Sequence, residues 1–352
     1  MMKIKIEIIL GCLLILGLSL QPCVAQIEYH EVDWGIHPME MNNVGTAGWQ
    51  FLHYPTNARS AAMGGIITAL GYGNAASAMT NPASTADVES FDLAFSHMDW
   101  VADIGFQTVA AVKNLGSWGV IGVNFVYVDY GEMVRTENLE TFDILGNSLG
   151  ILPVFDDLGT FTASDMAIGL SYSRQITNKL QVGGNLRYLE ERLDDAVTHN
   201  WALDIGTLYY TGIKTFRISM LGKSFGPDAD FASFDERIGV QPVHVKMPML
   251  FALGGAMEIL EGQNGSPHRL TLAAEYTHPN DGSDKVNLGT EYALMDMFFL
   301  RAGYRFNYDV EGMTFGAGLN YGMGGINLKI NYAYLDVGLF NQLHMFTVGM
   351  SF

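Results

Sequence analysis

From about residue 90 to the C-terminus, apolar and polar positions alternate with a period of two, segment after segment. Phe346, Val348, Met350 and Phe352 alternate with Thr347, Gly349 and Ser351. Ile326, Leu328, Ile330, Tyr332 and Tyr334 alternate with Asn327, Lys329, Asn331 and Ala333. Phe298, Leu300, Ala302, Tyr304 and Phe306 oppose Phe299, Arg301, Gly303, Arg305 and Asn307, and Leu270, Leu272, Ala274 and Tyr276 oppose Thr271, Ala273, Glu275 and Thr277. A strand sends successive side chains to opposite faces, so this pattern predicts strands with one apolar and one polar face. About fourteen segments qualify: 90–98, 103–113, 117–130, 162–175, 179–192, 199–211, 214–224, 248–259, 268–278, 284–294, 297–308, 313–322, 325–335 and 343–352. Those at 117–130 and 248–259 are apolar on both faces.

The connections between segments alternate too. Asn114–Gly116, Ile176–Asn178, Gly212-Ile213, Met295-Asp296 and Met323-Gly324 are short, with Leu260–Pro267 the exception. The two longest, Gly131–Phe161 and Phe225–Met247, fall at the opposite end. An even strand count, short turns on one side and long loops on the other are the marks of an outer-membrane barrel. A sandwich with one watered face is the rival, and long loops inside a compact soluble domain count against it.

Composition sharpens the choice. Charged residues make up 16% of the chain and hydrophobic ones 49%, with 40 glycines, 20 phenylalanines and 16 tyrosines. Soluble domains carry about 25% charged residues. Past the N-terminus no stretch approaches the roughly 20 apolar residues of a membrane helix. The expected fold is therefore all-β, a transmembrane antiparallel barrel of about fourteen strands with outer-membrane lipid around it, since only closure pairs every backbone group in lipid.

Residues 1–25 read as a signal peptide: Lys3 and Lys5, an apolar run from Ile8 to Leu20, the breaker Pro22, then Cys23-Val24-Ala25 before Gln26. A lipoprotein site at Gly11-Cys12 has too little apolar sequence before it. Cleavage after Ala25 removes both cysteines, Cys12 and Cys23, so the mature chain has no disulfide, zinc–cysteine site or thiol nucleophile. Lys3, Lys5 and Glu7 leave as well, so 19 basic and 37 acidic residues become 17 and 36, and the net charge moves from −18 to −19. Such acidity argues against a nucleic-acid partner.

Residues 26–89 do not alternate, and they precede a barrel spanning 90–352. Ala58-Arg59-Ser60-Ala61-Ala62-Met63-Gly64-Gly65, Asn74–Met79 and Asn81-Pro82-Ala83 are rich in small residues, with room for a short helix ending near Asn81. This segment suits an N-terminal plug folded into the lumen, with Arg59, Met63, Gly64, Gly65, Asn81 and Pro82 as its motif.

At these residues the chain resembles the PorV/PorQ family, itself similar to FadL-type channels. The resemblance also rests on Gln50-Phe51-Leu52, Ser96–Trp100 with Ala102-Asp103-Ile104, and Thr162–Asp165. Gly183–Tyr188, Asp204-Ile205-Gly206 with Tyr209, and Phe225-Gly226-Pro227 extend it over about residues 45–230. It implies a FadL-like barrel with a plug, working in type IX secretion with translocon, cargo or attachment-complex proteins as partners.

Several constellations invite chemistry. Gly71-Tyr72-Gly73-Asn74-Ala75-Ala76 fits a dinucleotide fingerprint, with Glu89 further on, but such a site needs a βαβ unit. Gly146–Gly150 spells G-x-S-x-G, but in the longest loop rather than at a strand–turn–helix elbow. Glu28, His30, Asp33 and His37 read as a solvated tail, and no metal or cofactor is expected. No nucleophile and base share one face, so the expectation is a non-enzymatic protein.

Inward parity places Asp165, Arg187, Asp204 and Arg217 on successive strands with alternating sign. Glu275 and Glu291 followed by Arg301 and Arg305 repeat the theme, with Lys329 beyond. The ladder is expected to brace the barrel and serve the plug rather than line a one-sign pathway. The outer loops are acidic: Glu132, Glu137, Glu140, Asp143, Asp156 and Asp157 against Arg135, then Asp228, Asp230, Asp235 and Glu236. Leu149, Ile151, Leu152 and Phe155 around Pro153, with Phe231 and Phe234, are the apolar exceptions and candidate docking positions. The resemblance implies, as the leading function, a protein-binding component of the type IX secretion machinery; the alternative is a FadL-like channel for small hydrophobic compounds.

Overall fold

The computed structural model describes residues 45–71, 73–142, 148–154, 159–230, 244–260, 267–338, 340 and 342–352. For 137–142, 148–149, 151–154, 230 and 244 it describes the backbone alone. The strands are β1 (Phe91–Asp99), β2 (Gly105–Asn114), β3 (Val120–Val134), β4 (Glu137–Phe142), β5 (Ser148–Val154), β6 (Thr160–Gln175), β7 (Leu180–Leu193), β8 (Ala196–Tyr210) and β9 (Arg217–Phe225). They continue as β10 (Ala229–Asp230), β11 (His244–Val245), β12 (Leu250–Leu260), β13 (His268–Pro279), β14 (Lys285–Leu294), β15 (Phe298–Phe306), β16 (Met313–Met323), β17 (Ile326–Leu335) and β18 (Leu343–Ser351).

Fourteen of these close a barrel in the order β1-β2-β3-β6-β7-β8-β9-β12-β13-β14-β15-β16-β17-β18, and β18 returns to β1. Every neighbouring pair is antiparallel, and at the seam Leu93 lies opposite Met350 and Phe95 opposite Val348. The Phe352 amide donates to the Phe91 carbonyl at 2.8 Å, so the last residue completes the ring. β4 pairs with β5, and β10 with β11, as small separate sheets on the long-loop side.

The period-two pattern resolves as two faces. Leu170, Leu300 and Phe346 point outward and are 65%, 64% and 53% exposed, too apolar a wall for water. Thr271, Glu275, Arg301 and Thr347, at inward parity on the same sheet, are buried. An apolar exterior on a closed sheet is the solution lipid demands. At the short-turn end, Met295 and Asp296 both adopt positive φ, the twist that matches a two-residue hairpin, and the Met297 amide donates to Leu294 at 3.1 Å. At the other end β3, β6, β7 and β8 run on for 15, 16, 14 and 15 residues, so one side of the outer rim stands taller.

Candidate functional site: a plugged lumen with two chambers

The lumen is occupied by residues 49–71 and 73–88. Gln50–His53, Ala75–Met79 and Pro82–Asp87 form 3-10 turns and Ala58–Ala62 a single helical turn. Asn57 accepts from the Ser60 amide at 2.9 Å and Asn81 from the Ala83 amide at 3.1 Å, so local capping starts two of these turns. Alanines at 58, 61, 62, 75, 76 and 78 are fully or almost fully buried, because only small residues fit between wall and wall. The wall makes room in turn. A Cβ on Gly303 would strike the Gly64 backbone, and one on Gly183 would strike the Pro82–Ala83 peptide. On one side the plug packs Phe51, Ala75 and Met79 into a cluster with Met98, Phe106, Val126 and Val128. That contact explains why 117–130 is apolar on both faces. The 248–259 segment has the same cause, since Ala256 packs on Met63, Ile66 and Ala69.

Buried plug amides and carbonyls need partners, and the inward charges supply them. Glu275 accepts from Ile67 N, Thr68 N and Thr68 Oγ1 at 2.9, 2.8 and 2.6 Å. Arg217 donates to the Ala69 and Leu70 carbonyls, both at 2.7 Å. Arg59 donates to the Gly71 carbonyl at 2.8 Å and to Glu291 at 2.9 Å, while Arg301 reaches the same Glu291 at 2.7 Å. Asn81 donates to the Thr68 carbonyl and Ser219, and Pro82 is buried beside it. Met63 is buried, and Gly64 and Gly65 take positive φ to turn the chain beneath Arg305. The Gly64 amide donates to Thr314 and the Ala58 amide to Thr347.

The charges do not form a simple ladder. Arg187 and Asp204 pair at 2.7 Å, but Asp165 lies opposite Glu191 and takes its hydrogen bond from Tyr130 at 2.6 Å. Arg217 pairs with Glu258 at 2.7 Å rather than with Asp204. Arg305 meets Glu311, and Lys329 meets Asp92 at 3.1 Å. Asp165, Arg187, Asp204 and Arg217 are buried on successive strands with alternating sign, but their partners are set by strand register and by plug carbonyls, not by parity alone. Glu258, Asp92 and Glu311 escaped sequence reasoning. Glu258 ends a segment that reads as apolar on both faces, and Glu311 lies in a loop.

Leu149, Ile151 and Leu152 fall on β5, where Leu152 pairs with Leu139 and Ile151 with Glu140. Phe155 lies outside the described residues, as do the signal peptide, the Glu28–His37 tail, Phe231 and Phe234. The Gly71–Ala76 fingerprint leads into a 3-10 turn of five residues packed in the plug, with no crossover unit around it among the described residues.

The plug leaves two chambers. The outer one, of about 290 Å³, opens among the long-loop ends, with Tyr54, Trp100, Lys223, Lys285, Tyr308 and His53 on its wall. Tyr54 stacks on Trp100 with centroids 4.2 Å apart, and Phe106 meets Tyr54 edge-on at 5.7 Å. His53 is exposed to the open volume. The inner chamber, of about 580 Å³, lies among the short turns, with Arg59, Arg269, Phe299, Leu319 and Lys329 around it. Between them sits a neck of about 20 Å³ within the plug. Ile67 and Thr80 border both the neck and the outer chamber, and Arg59 and Asn74 both the neck and the inner one.

A closed, lipid-facing sheet with a folded segment in its lumen defines a plugged outer-membrane β-barrel. Among solved structures the chain is similar to the toluene transporter TbuX of Ralstonia pickettii, with a TM-score of 0.55 and 12% identity over 86% of this chain and 100% of that one. It is likewise similar to the toluene transporter TodX of Pseudomonas putida, at 0.52 and 13% over 84% and 96%. A FadL homologue of Pseudomonas aeruginosa matches at 0.52 and 8% over 84% and 98%. At such identities the shared property is the fold, which is FadL-like. No family model and no curated protein matches the sequence.

Proposed function

We propose that the protein is an outer-membrane conduit for a small hydrophobic compound. The carrying observation is the run of three cavities along the lumen, which share lining residues from the outer chamber through the plug to the inner chamber. The stacked Tyr54–Trp100 pair offers an apolar landing surface in the first of them. The neck is about the size of one water, so a larger solute crosses only when the plug shifts. The fold shared with toluene transporters supports this reading, and it involves no catalysis. Purified protein in liposomes should speed uptake of radiolabelled toluene over protein-free liposomes. Equal rates would sink the proposal.

A second reading rests on the sequence resemblance. The PorV/PorQ resemblance implies a secretion component that binds proteins, and the β4–β5 hairpin carries Leu149, Ile151 and Leu152 on the long-loop side. Under it, Leu152→Ser with Phe155→Ser leaves insertion intact but reduces recovery of envelope proteins from native membranes. Wild-type protein that brings down no partner in mild detergent removes this reading.

A further inference from the structure

Lys223 sits on β9 at inward parity, 5% exposed, with its side chain on the wall of the outer chamber. Among the described residues no carboxylate lies within 4.0 Å of its ammonium and no acceptor hydrogen-bonds to it. The acidic groups that act on it electrostatically are committed elsewhere. Asp204 serves Arg187 and the Ser224 amide, and Glu275 holds the plug at Ile67 and Thr68. Arg187 adds a second positive charge nearby. Lys285, on the same wall, has an aromatic face rather than a carboxylate as neighbour, its ammonium 4.4 Å from the Tyr308 ring centroid. Arg305 is neutralised by Glu311. The chamber therefore offers, beside an aromatic stack, two cations with no carboxylate within 4.0 Å, although Glu275 and Asp309 also line it.

A buried ammonium without a partner is costly, and such groups ordinarily pair with an anion or lose their charge. A water-bridged link to Glu275 is the structural alternative, in which Lys223 merely holds the wall. The chamber is small, at the lower edge of the roughly 300–1,000 Å³ of ligand sites. That size favours a one-ring compound over a long chain.

Building on the conduit reading, we infer that the outer chamber is a binding site for a small aromatic acid, its carboxylate on Lys223 and its ring toward Tyr54 and Trp100. Benzoate is the probe, titrated calorimetrically into full-length protein in detergent, with toluene and inorganic phosphate for comparison. Benzoate should bind, and Lys223→Met should weaken it roughly 10- to 100-fold, as loss of a charge-assisted hydrogen bond does, and by more than it weakens toluene. Phosphate that competes as well as benzoate shows that the ring is not read and overturns the assignment. So does unchanged benzoate affinity in Lys223→Met. Stability of the ligand-free variant separates the structural alternative. Losing an unpaired buried charge should leave the melting temperature equal or higher, whereas a lower one assigns Lys223 to the wall and overturns the site. Should Lys223→Met fail to insert, Lys223→Arg must retain benzoate binding for the inference to stand. Benzoate binding without any toluene uptake in liposomes refutes the conduit and leaves the site intact.

Discussion

At the scale of single residues, the interior of this barrel is held by charges that few soluble proteins would bury. Asp204 is 1% exposed and engages Arg187 and the Ser224 amide, both at 2.7 Å. Asp204→Ala would strand the Arg187 guanidinium in the wall, a change that typically costs about 3–5 kcal/mol. Asp296 also pairs with an arginine, Arg269 at 2.9 Å, but its side chain is 71% exposed. Asp296→Ala should cost at most about 1 kcal/mol. The temperature at which the folded band converts on heat-modifiability gels reports both, and equal shifts would contradict the lumenal role of Asp204. Parity along each strand made the inward position of these charges legible from the sequence. Their partners were not legible, because Arg217 finds Glu258 on another strand and two carbonyls of a plug whose path no periodicity encodes.

Whole elements were easier to read than their contacts. β13, β15, β17 and β18 follow the alternation almost residue for residue, since lipid outside and polar groups inside impose it from both faces. β3 and β12 obscure it because the plug, not water, covers their inner face. The β4–β5 hairpin went unseen inside a long acidic loop. Two elements carry predictions. Deleting Met350–Phe352 removes the β18 residues that pair with Leu93 and Leu328, and with them the Phe352 bond to Phe91. An unpaired edge in lipid is prohibitive, so the truncated protein should vanish from the outer-membrane fraction on immunoblots; normal levels would refute closure at this seam. On β15, Gly303→Val drives a side chain into Gly64. Overpacking of this kind costs about 1–3 kcal/mol, and it should lower the gel transition and expose the plug to limited proteolysis. A wild-type digestion pattern would show that wall and plug do not touch there.

For the molecule as a whole, the plug separates a sealed lumen from an open one. Deleting residues 45–88 ahead of β1 should produce steady ionic conductance in planar bilayers, where the intact protein stays near leak. Matching traces would mean that the plug does not set permeability. The barrel and its plug were foreseeable from pattern and composition, whereas the two chambers were not, since Lys223, Trp100 and Tyr308 meet only through the closed topology. That topology also bears on how the protein is made. The plug precedes every barrel strand in the chain, yet its anchors, Thr314 and Thr347 among them, lie 250 and 289 residues from the amides they accept. Contacts so distant form late and slowly. Although β1 to β3 cover one side of the plug early, the amides at Ala58 and Gly64 must wait for the last strands, and a chaperone that shields residues 45–88 should raise the yield of assembled barrel.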